Sequence, residues 1–255
     1  MPFAPDLTRP AVAAVLPAWS GPLSRRALLG TLVASLLLLA STPACKLQLL
    51  AEPQARPLVY VALGASDAVG IGATDPIKDG WVPQLHSRMP PGTQLVNLGV
   101  SGSLLRDALV QQLPVAIDAH PDIVTVWLVV NDFNARVPLD EYIVQLDTLL
   151  SELHQKTSAR IAVANVPDLA VVPAYRSVEP RALRAEIARW NEAIAQLCAQ
   201  HGAVLVDLSG TWQELAANPD YVSADGFHPS STGYRRLADV FWDALMQGGL
   251  LEQAG

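Results

Sequence analysis

Four polar side chains and one glycine in this sequence are of the types that acyl transfer requires: Ser66, Asn131, Asp225, His228 and Gly102. A serine hydroxyl is a poor nucleophile until a neighbouring base accepts its proton. His228 can accept it near neutral pH, and Asp225, three residues earlier, can fix the ring tautomer and stabilise the imidazolium. The oxyanion formed on attack needs preorganised donors, and the Ser66 N–H, the Gly102 N–H and the Asn131 side chain are candidates for that oxyanion hole. Of five histidines, His228 alone has an aspartate three residues before it. His86 and His154 fall in helical patterns, His120 opens a strand, and His201 closes a helix beside Gly202, so these four read as structural. Ser101 and Ser103 are rival hydroxyls, but Ser103 suits the N-cap of a helix over Leu104–Gln112. Asp132 reads as a brace for its turn.

These groups act together only if the fold gathers them. Five apolar runs, Leu58–Leu63, Gln94–Leu98, Ile123–Val130, Arg160–Ala164 and Ala203–Asp207, predict strands. Helical spacing intervenes: Leu139, Tyr142, Ile143, Leu146, Leu149, Leu150 and Leu153 form one stripe, and Leu183, Ile187, Trp190, Ile194, Leu197 and Cys198 another. Pro180 near the start and Gly202 just past the end frame the second stripe. A last helix spans about Ser230 to Gln247, before Gly248-Gly249. This alternation predicts a three-layer α/β/α domain on a five-stranded parallel sheet, with the flavodoxin-like order among the few allowed topologies. In such sheets ligands bind beyond the carboxyl ends of the strands. Gly64-Ala65-Ser66-Asp67, Asn97 to Gly102 and Asn131-Asp132 follow the first three strands, and Asp225-Gly226-Phe227-His228-Pro229 precedes the last helix.

Those four blocks, in that order, resemble the SGNH (GDSL-type) hydrolase family, over everything after residue 57. The resemblance implies the SGNH hydrolase fold and a serine ester hydrolase acting on lipid, short-chain or acylated-sugar esters, with a minority of members transferring acyl groups to carbohydrates. It implies Ser66 as nucleophile, His228 and Asp225 as its partners, and Ser66, Gly102 and Asn131 as the oxyanion hole, with no metal or organic cofactor. Two departures stand out. The usual Gly-Asp-Ser is Gly64-Ala65-Ser66, with a carboxylate at Asp67 instead. The usual Gly-x-Asn-Asp is Val129-Val130-Asn131-Asp132, and a valine at 129 is expected to narrow the acyl pocket or shift Asn131. These departures keep a catalytically silent glycan-binding module in view as a rival, and a carbohydrate O-acyltransferase is a second rival that shares the chemistry.

Before the domain, Arg25-Arg26 leads into the uncharged run Ala27–Ala40 and then Ser41-Thr42-Pro43-Ala44-Cys45. A basic stretch, a short apolar stretch and small residues ending in cysteine match an export signal, with Cys45 a candidate lipidation site, although Thr42 stands where Leu is usual. Residues 1–45 are therefore expected to export or anchor the protein at the cell envelope, 46–57 to form a linker, 58–248 the hydrolase domain and 249–255 a tail. Membrane association is expected through the N-terminal segment alone.

Composition narrows the classes further. The 255 residues carry −7 overall, and the first fifty alone carry +3, leaving −10 for the remainder. That balance opposes a nucleic-acid partner, which needs a basic face. Two cysteines make no disulfide framework, and no His/Cys/carboxylate group has metal-ligand spacing. Gly70-Ile71-Gly72 lacks the third glycine of a dinucleotide loop. Trp81, Trp127, Trp190 and Trp242 read as core, whereas Trp212, Tyr221 and the Asp168–Ser177 loop are expected to line the pocket. Cys198 reads as a buried, inert thiol.

Overall fold

All five apolar runs are strands, and every pair is parallel. A computed structural model describes residues 56–211, Glu214 and residues 217–251. In it β1 (Val59–Gly64), β2 (Gln94–Asn97), β3 (Ile123–Trp127), β4 (Arg160–Ala164) and β5 (Val204–Val206) form one sheet in the order β2-β1-β3-β4-β5. This is the flavodoxin-like order, with β1 at its switch point. β3 is buried along its whole length and β1 nearly so, as expected for strands covered on both faces. The expected export segment at 1–45, residues 46–55 of the linker, Trp212 and residues 252–255 lie outside the described residues. Among the described residues no helix is long and apolar enough to cross a membrane.

Two sets of helices cover the sheet. Ser231–Gln247 packs on Trp81–His86 and on β5. Pro180–His201 also meets β5, packs on Leu139–Lys156, and that helix packs in turn on Leu105–Gln111 and Leu113–Asp118. The predicted stripes are the buried faces, including Tyr142, Leu146, Leu149, Leu150 and Leu153 in one helix and Leu183, Ile187, Trp190, Ile194, Leu197 and Cys198 in the other. Pro180 opens its helix, where the Glu179 carboxylate accepts from Arg181 N–H and Ala182 N–H, and Gly202 closes it at φ +63°. Trp81 stacks on Phe241 at 4.1 Å and meets Trp127 edge-on at 6.1 Å. Trp81, Trp127 and Trp190 are thus core, while Trp242 is only partly buried. Burial pushes the Cys198 thiol up to about 12, which keeps it protonated and unreactive.

Three local expectations need correction. β3 stops at Trp127 rather than Val130, because its neighbour β1 ends at Gly64, opposite Trp127, and offers no further partner. Val129–Asn134 coils instead into a short helix, so tertiary pairing overrides the β-preference of the two valines. Ser103 does not cap the helix it precedes: the Asp107 carboxylate accepts the Leu104 N–H at 3.1 Å, and Ser103 turns inward. His120 sits in an exposed left-handed turn (φ +49°) ahead of β3 rather than opening it.

Opposite the edge that carries Ser66, the Arg56 guanidinium donates to both Asp122 oxygens at 2.9 and 2.6 Å, and Asp122 also accepts the Val59 N–H at 2.8 Å. One carboxylate thereby fixes the starts of β1 and β3.

Asp132 braces its turn as expected. It is fully buried, and its Oδ2 accepts the Leu105 N–H at 2.9 Å. Its Oδ1 has no hydrogen-bond partner among the described residues. Desolvation raises its carboxyl from 3.8 to about 6, against the Leu105 N–H and the nearby Arg106 charge, which pull it down. The folded state thus keeps a proton that the unfolded chain loses. Asp132 should therefore stabilise the fold fully below about pH 4 and lose that contribution as pH rises through about 6. Thermal unfolding of wild type and Asp132→Asn across this range should show the wild type losing ground to the variant. A pH-independent difference would contradict the assignment.

Candidate active site

Ser66 opens a single helical turn, Ser66–Val69, two residues past the end of β1. Close packing sets that turn. A Cβ on Gly64 would lie 2.5 Å from the Ala68 Cβ, and one on Gly99 would lie 2.9 Å from the same atom. Glycines from the first and second blocks therefore close on Ala68 from two sides. Asn97 reaches across from β2, its Nδ2 donating to the Ala68 carbonyl at 2.7 Å. Asp67, the displaced carboxylate, accepts the Ala65 N–H at 3.2 Å and ties the turn from the other side of the serine. Desolvation in the pocket pushes its carboxyl up to about 7, opposed by the backbone N–H groups it faces.

The histidine arrives on a loop organised by one carboxylate. Asp225 Oδ1 accepts from Phe227 N–H at 2.8 Å, His228 N–H at 2.9 Å and the Ser223 hydroxyl at 2.8 Å. Its Oδ2 lies 2.6 Å from His228 Nδ1, and His228 Nε2 lies 2.9 Å from Ser66 Oγ. Gly226 takes φ +74°, and Ser223 N–H donates to the His228 carbonyl at 2.8 Å, closing the loop on itself. Partial burial alone would raise the Asp225 carboxyl. The His228 ring and the other donors outweigh it and hold the group well below the usual carboxylate range. An ionised Asp225 only accepts, so Nδ1 carries the proton and Nε2 presents its lone pair to the Ser66 hydroxyl.

Asn131 lies in the short helix after β3, and its Nδ2 donates to the Ser103 carbonyl at 3.0 Å. That bond fixes which way the amide faces and leaves a second N–H. Ser66, His228 and Asn131 line one cavity with Asp67, while Asp225 joins through His228. Gly102 is exposed at φ +80° and is not a lining residue; it connects to the site through its neighbour Ser103.

The remaining walls are apolar: Ala65, Trp127, Leu128, Val130, Pro167, Leu169, Val172, Phe227 and Pro229 surround a cavity of about 50 Å³. Leu169 and Val172 come from the expected 168–177 loop. Val129, expected to narrow the pocket, points instead into the core, and Val130 lines the cavity. Tyr221 does not line it either. It sits in a 3₁₀ turn whose carbonyl accepts the Ser230 N–H at 2.8 Å. Phe227 takes that place, edge-on to the His228 ring at 4.8 Å and backed by Tyr175 at 6.2 Å. Its position beside His228 was the available signal. Gln112 was missed because a polar residue at a helix end reads as exposed, yet it is 2% exposed and bonded to Gly64.

The GDSL-like lipase/acylhydrolase family model matches residues 44–236. No curated protein sequence matches the chain. Among solved structures, TesA is 20% identical, with a TM-score of 0.62 over 74% of this chain and 99% of its own. Axe2, an acetylxylan esterase from Geobacillus stearothermophilus, is 20% identical, with a TM-score of 0.61 over 77% of this chain and 97% of its own. The psychrotrophic esterase EstA from Pseudoalteromonas sp. is 19% identical, with a TM-score of 0.60 over 74% and 97%. At these identities the structural likeness is one of fold. The four ordered blocks, the parallel sheet that gathers them and the match over residues 44–236 make the chain a member of the GDSL-like lipase/acylhydrolase family, and a carboxylic ester hydrolase.

Proposed function

We propose that the protein hydrolyses esters of short acyl groups through an acyl-enzyme on Ser66. The observation that carries this reading is the unbroken chain from Asp225 Oδ2 through both His228 nitrogens to Ser66 Oγ, at 2.6 and 2.9 Å. As Ser66 Oγ attacks the acyl carbon, its proton passes to His228 Nε2, and Asp225 stabilises the imidazolium. Negative charge gathers on the former carbonyl oxygen, where the Ser66 N–H and the free N–H of Asn131 serve as donors from the cavity wall, and the Gly102 N–H, on the exposed loop next to Ser103, is the third candidate. Each such donor is worth about 10²–10³ in rate. The imidazolium then protonates the departing alkoxide. Water, deprotonated by the same nitrogen, attacks the acyl-serine and regenerates Ser66.

Cavity size argues for the acyl length. About 50 Å³, at roughly 10–15 Å³ for each water-sized group, has room for about three to five such groups, which supports an acyl chain of about two to four carbons together with its carbonyl oxygen. Two proteins of similar fold, AlAXEase and Axe2, are acetylxylan esterases, and acetyl is within this range. The basic, apolar and small-residue succession through Arg25, Arg26 and Cys45 supports a site of action at the cell envelope.

On p-nitrophenyl acetate, Ser66→Ala and His228→Ala should each lower kcat by about 10⁴-fold or more, with circular dichroism unchanged. Asp225→Asn should cost about 10⁴-fold, because an amide can donate to Nδ1 and select the wrong tautomer. Near-normal turnover by folded Ser66→Ala would refute the nucleophile. A burst of p-nitrophenol equal to the enzyme concentration is the expected mark of the acyl-enzyme.

The second expectation concerns specificity. Across acetate, butyrate, octanoate and palmitate esters, kcat/KM should peak at butyrate or shorter. Val130→Ala should move the optimum toward longer chains. An optimum at octanoate or beyond in the wild type would refute the short-acyl reading.

A further inference from the structure

Gln112 is a buried amide that bonds both to the first block, at Gly64, and to the residue that follows the second, Ser103. Pairing between β1 and β2 ends at Ala62 opposite Asn97, and the chain after β2 then swings away as the loop carrying Gly102. Val100 N–H still reaches the Gly64 carbonyl at 3.2 Å, but the Gly64 N–H has lost its strand neighbour. Gln112 fills that gap from the far end of the helix Leu105–Gln111. Its Oε1 accepts the Gly64 N–H at 3.0 Å, and its Nε2 donates to the Gly64 carbonyl at 3.0 Å and to Ser103 Oγ at 3.3 Å. The side-chain amide thus stands in for the missing stretch of strand. Gly64 is two residues before Ser66, Ser103 is the residue after Gly102, and the Ser103 carbonyl holds the Asn131 amide at 3.0 Å.

We propose that Gln112 is a positioning residue for ester hydrolysis: it locks the strand end that presents Ser66 to the loop that carries Gly102 and whose Ser103 carbonyl holds the Asn131 amide. This rests on the reading of Ser66 as nucleophile. An oxyanion donor helps only where the developing charge will be, so nucleophile and donors must keep a fixed separation. An amide that bonds to both supporting segments supplies that constraint without entering the cavity, and Gln112 is not among the cavity-lining residues.

The test uses the full-length protein and p-nitrophenyl acetate, with Gln112→Leu, Gln112→Glu and Ser66→Ala alongside wild type. Gln112→Leu should lower kcat by about 10²-fold, the cost of a displacement near 1 Å, with KM little changed and the protein folded at the assay temperature. Gln112→Glu adds a readout that a merely structural role would not move. A protonated carboxyl has one donor and one acceptor, as the amide does toward Gly64, whereas an ionised one can only accept. Burial raises the carboxyl's titration. The ratio of Gln112→Glu to wild-type kcat should therefore climb as pH falls, while the ratio for Gln112→Leu stays flat. A folded Gln112→Leu with wild-type kcat would overturn the proposal. So would a Gln112→Glu ratio independent of pH, which decides the matter alone if Gln112→Leu does not fold. Turnover retained in Ser66→Ala would instead bring down the nucleophile reading, so the two failures are distinguishable.

Discussion

Neighbouring parallel strands have to part before a side chain can be presented between their ends, and parting strips backbone N–H and C=O groups of their partners. In a buried sheet such groups cannot stay unpaired. The site follows from how this protein meets that constraint where β1 and β2 separate. Side chains substitute for backbone: Gln112 at Gly64, Asn97 at the Ala68 carbonyl, Asp67 at the Ala65 N–H. Each substitution pins a residue within two positions of Ser66. Satisfying the backbone and aiming the serine are one structural act.

The other half of the site follows the same logic at a smaller scale. Asp225 accepts from two backbone N–H groups and a hydroxyl with one oxygen, and from the imidazole with the other. The bonds that fold its loop also hold it ionised, and its ionisation selects the tautomer of His228. Loop geometry and ring chemistry are therefore not separable: weakening the loop would release the base. Phe227, itself backed by Tyr175, shields one side of the ring, where a drier surrounding strengthens the bonds to it.

Much of this was legible in the sequence because parallel sheets write themselves plainly. The apolar runs are strands, the stripes from Leu139 and Leu183 are buried helix faces, and four polar blocks fall beyond strand ends or in the loop before the last helix. What stayed hidden depends on pairing between distant segments. β3 stops at Trp127 because β1 ends, which no local property of Val129 or Val130 reveals. Ser103 looks like a cap but is drawn inward by Gln112 and Asn131. Tyr221 and Phe227 are both aromatic and close to His228 in sequence, and only the path of the loop decides which reaches the cavity. Gln112 carried no signal at all, since its partners lie 48 residues away at Gly64 and on the inner side of a glycine-rich loop.

The pairing of Arg56 with Asp122 has a consequence for how the domain is held. β1 runs six residues from that clasp toward Ser66, about 20 Å at ~3.3 Å per residue. Arg56 sits at the foot of the sheet, and the catalytic mouth opens at its head. A load on Arg56 is borne by the guanidinium clasp and the first strand, along the strand's length. The six residues of β1 thus stand between the clasp and Ser66, so the foot of the sheet can be fixed without any group of the clasp entering the cavity.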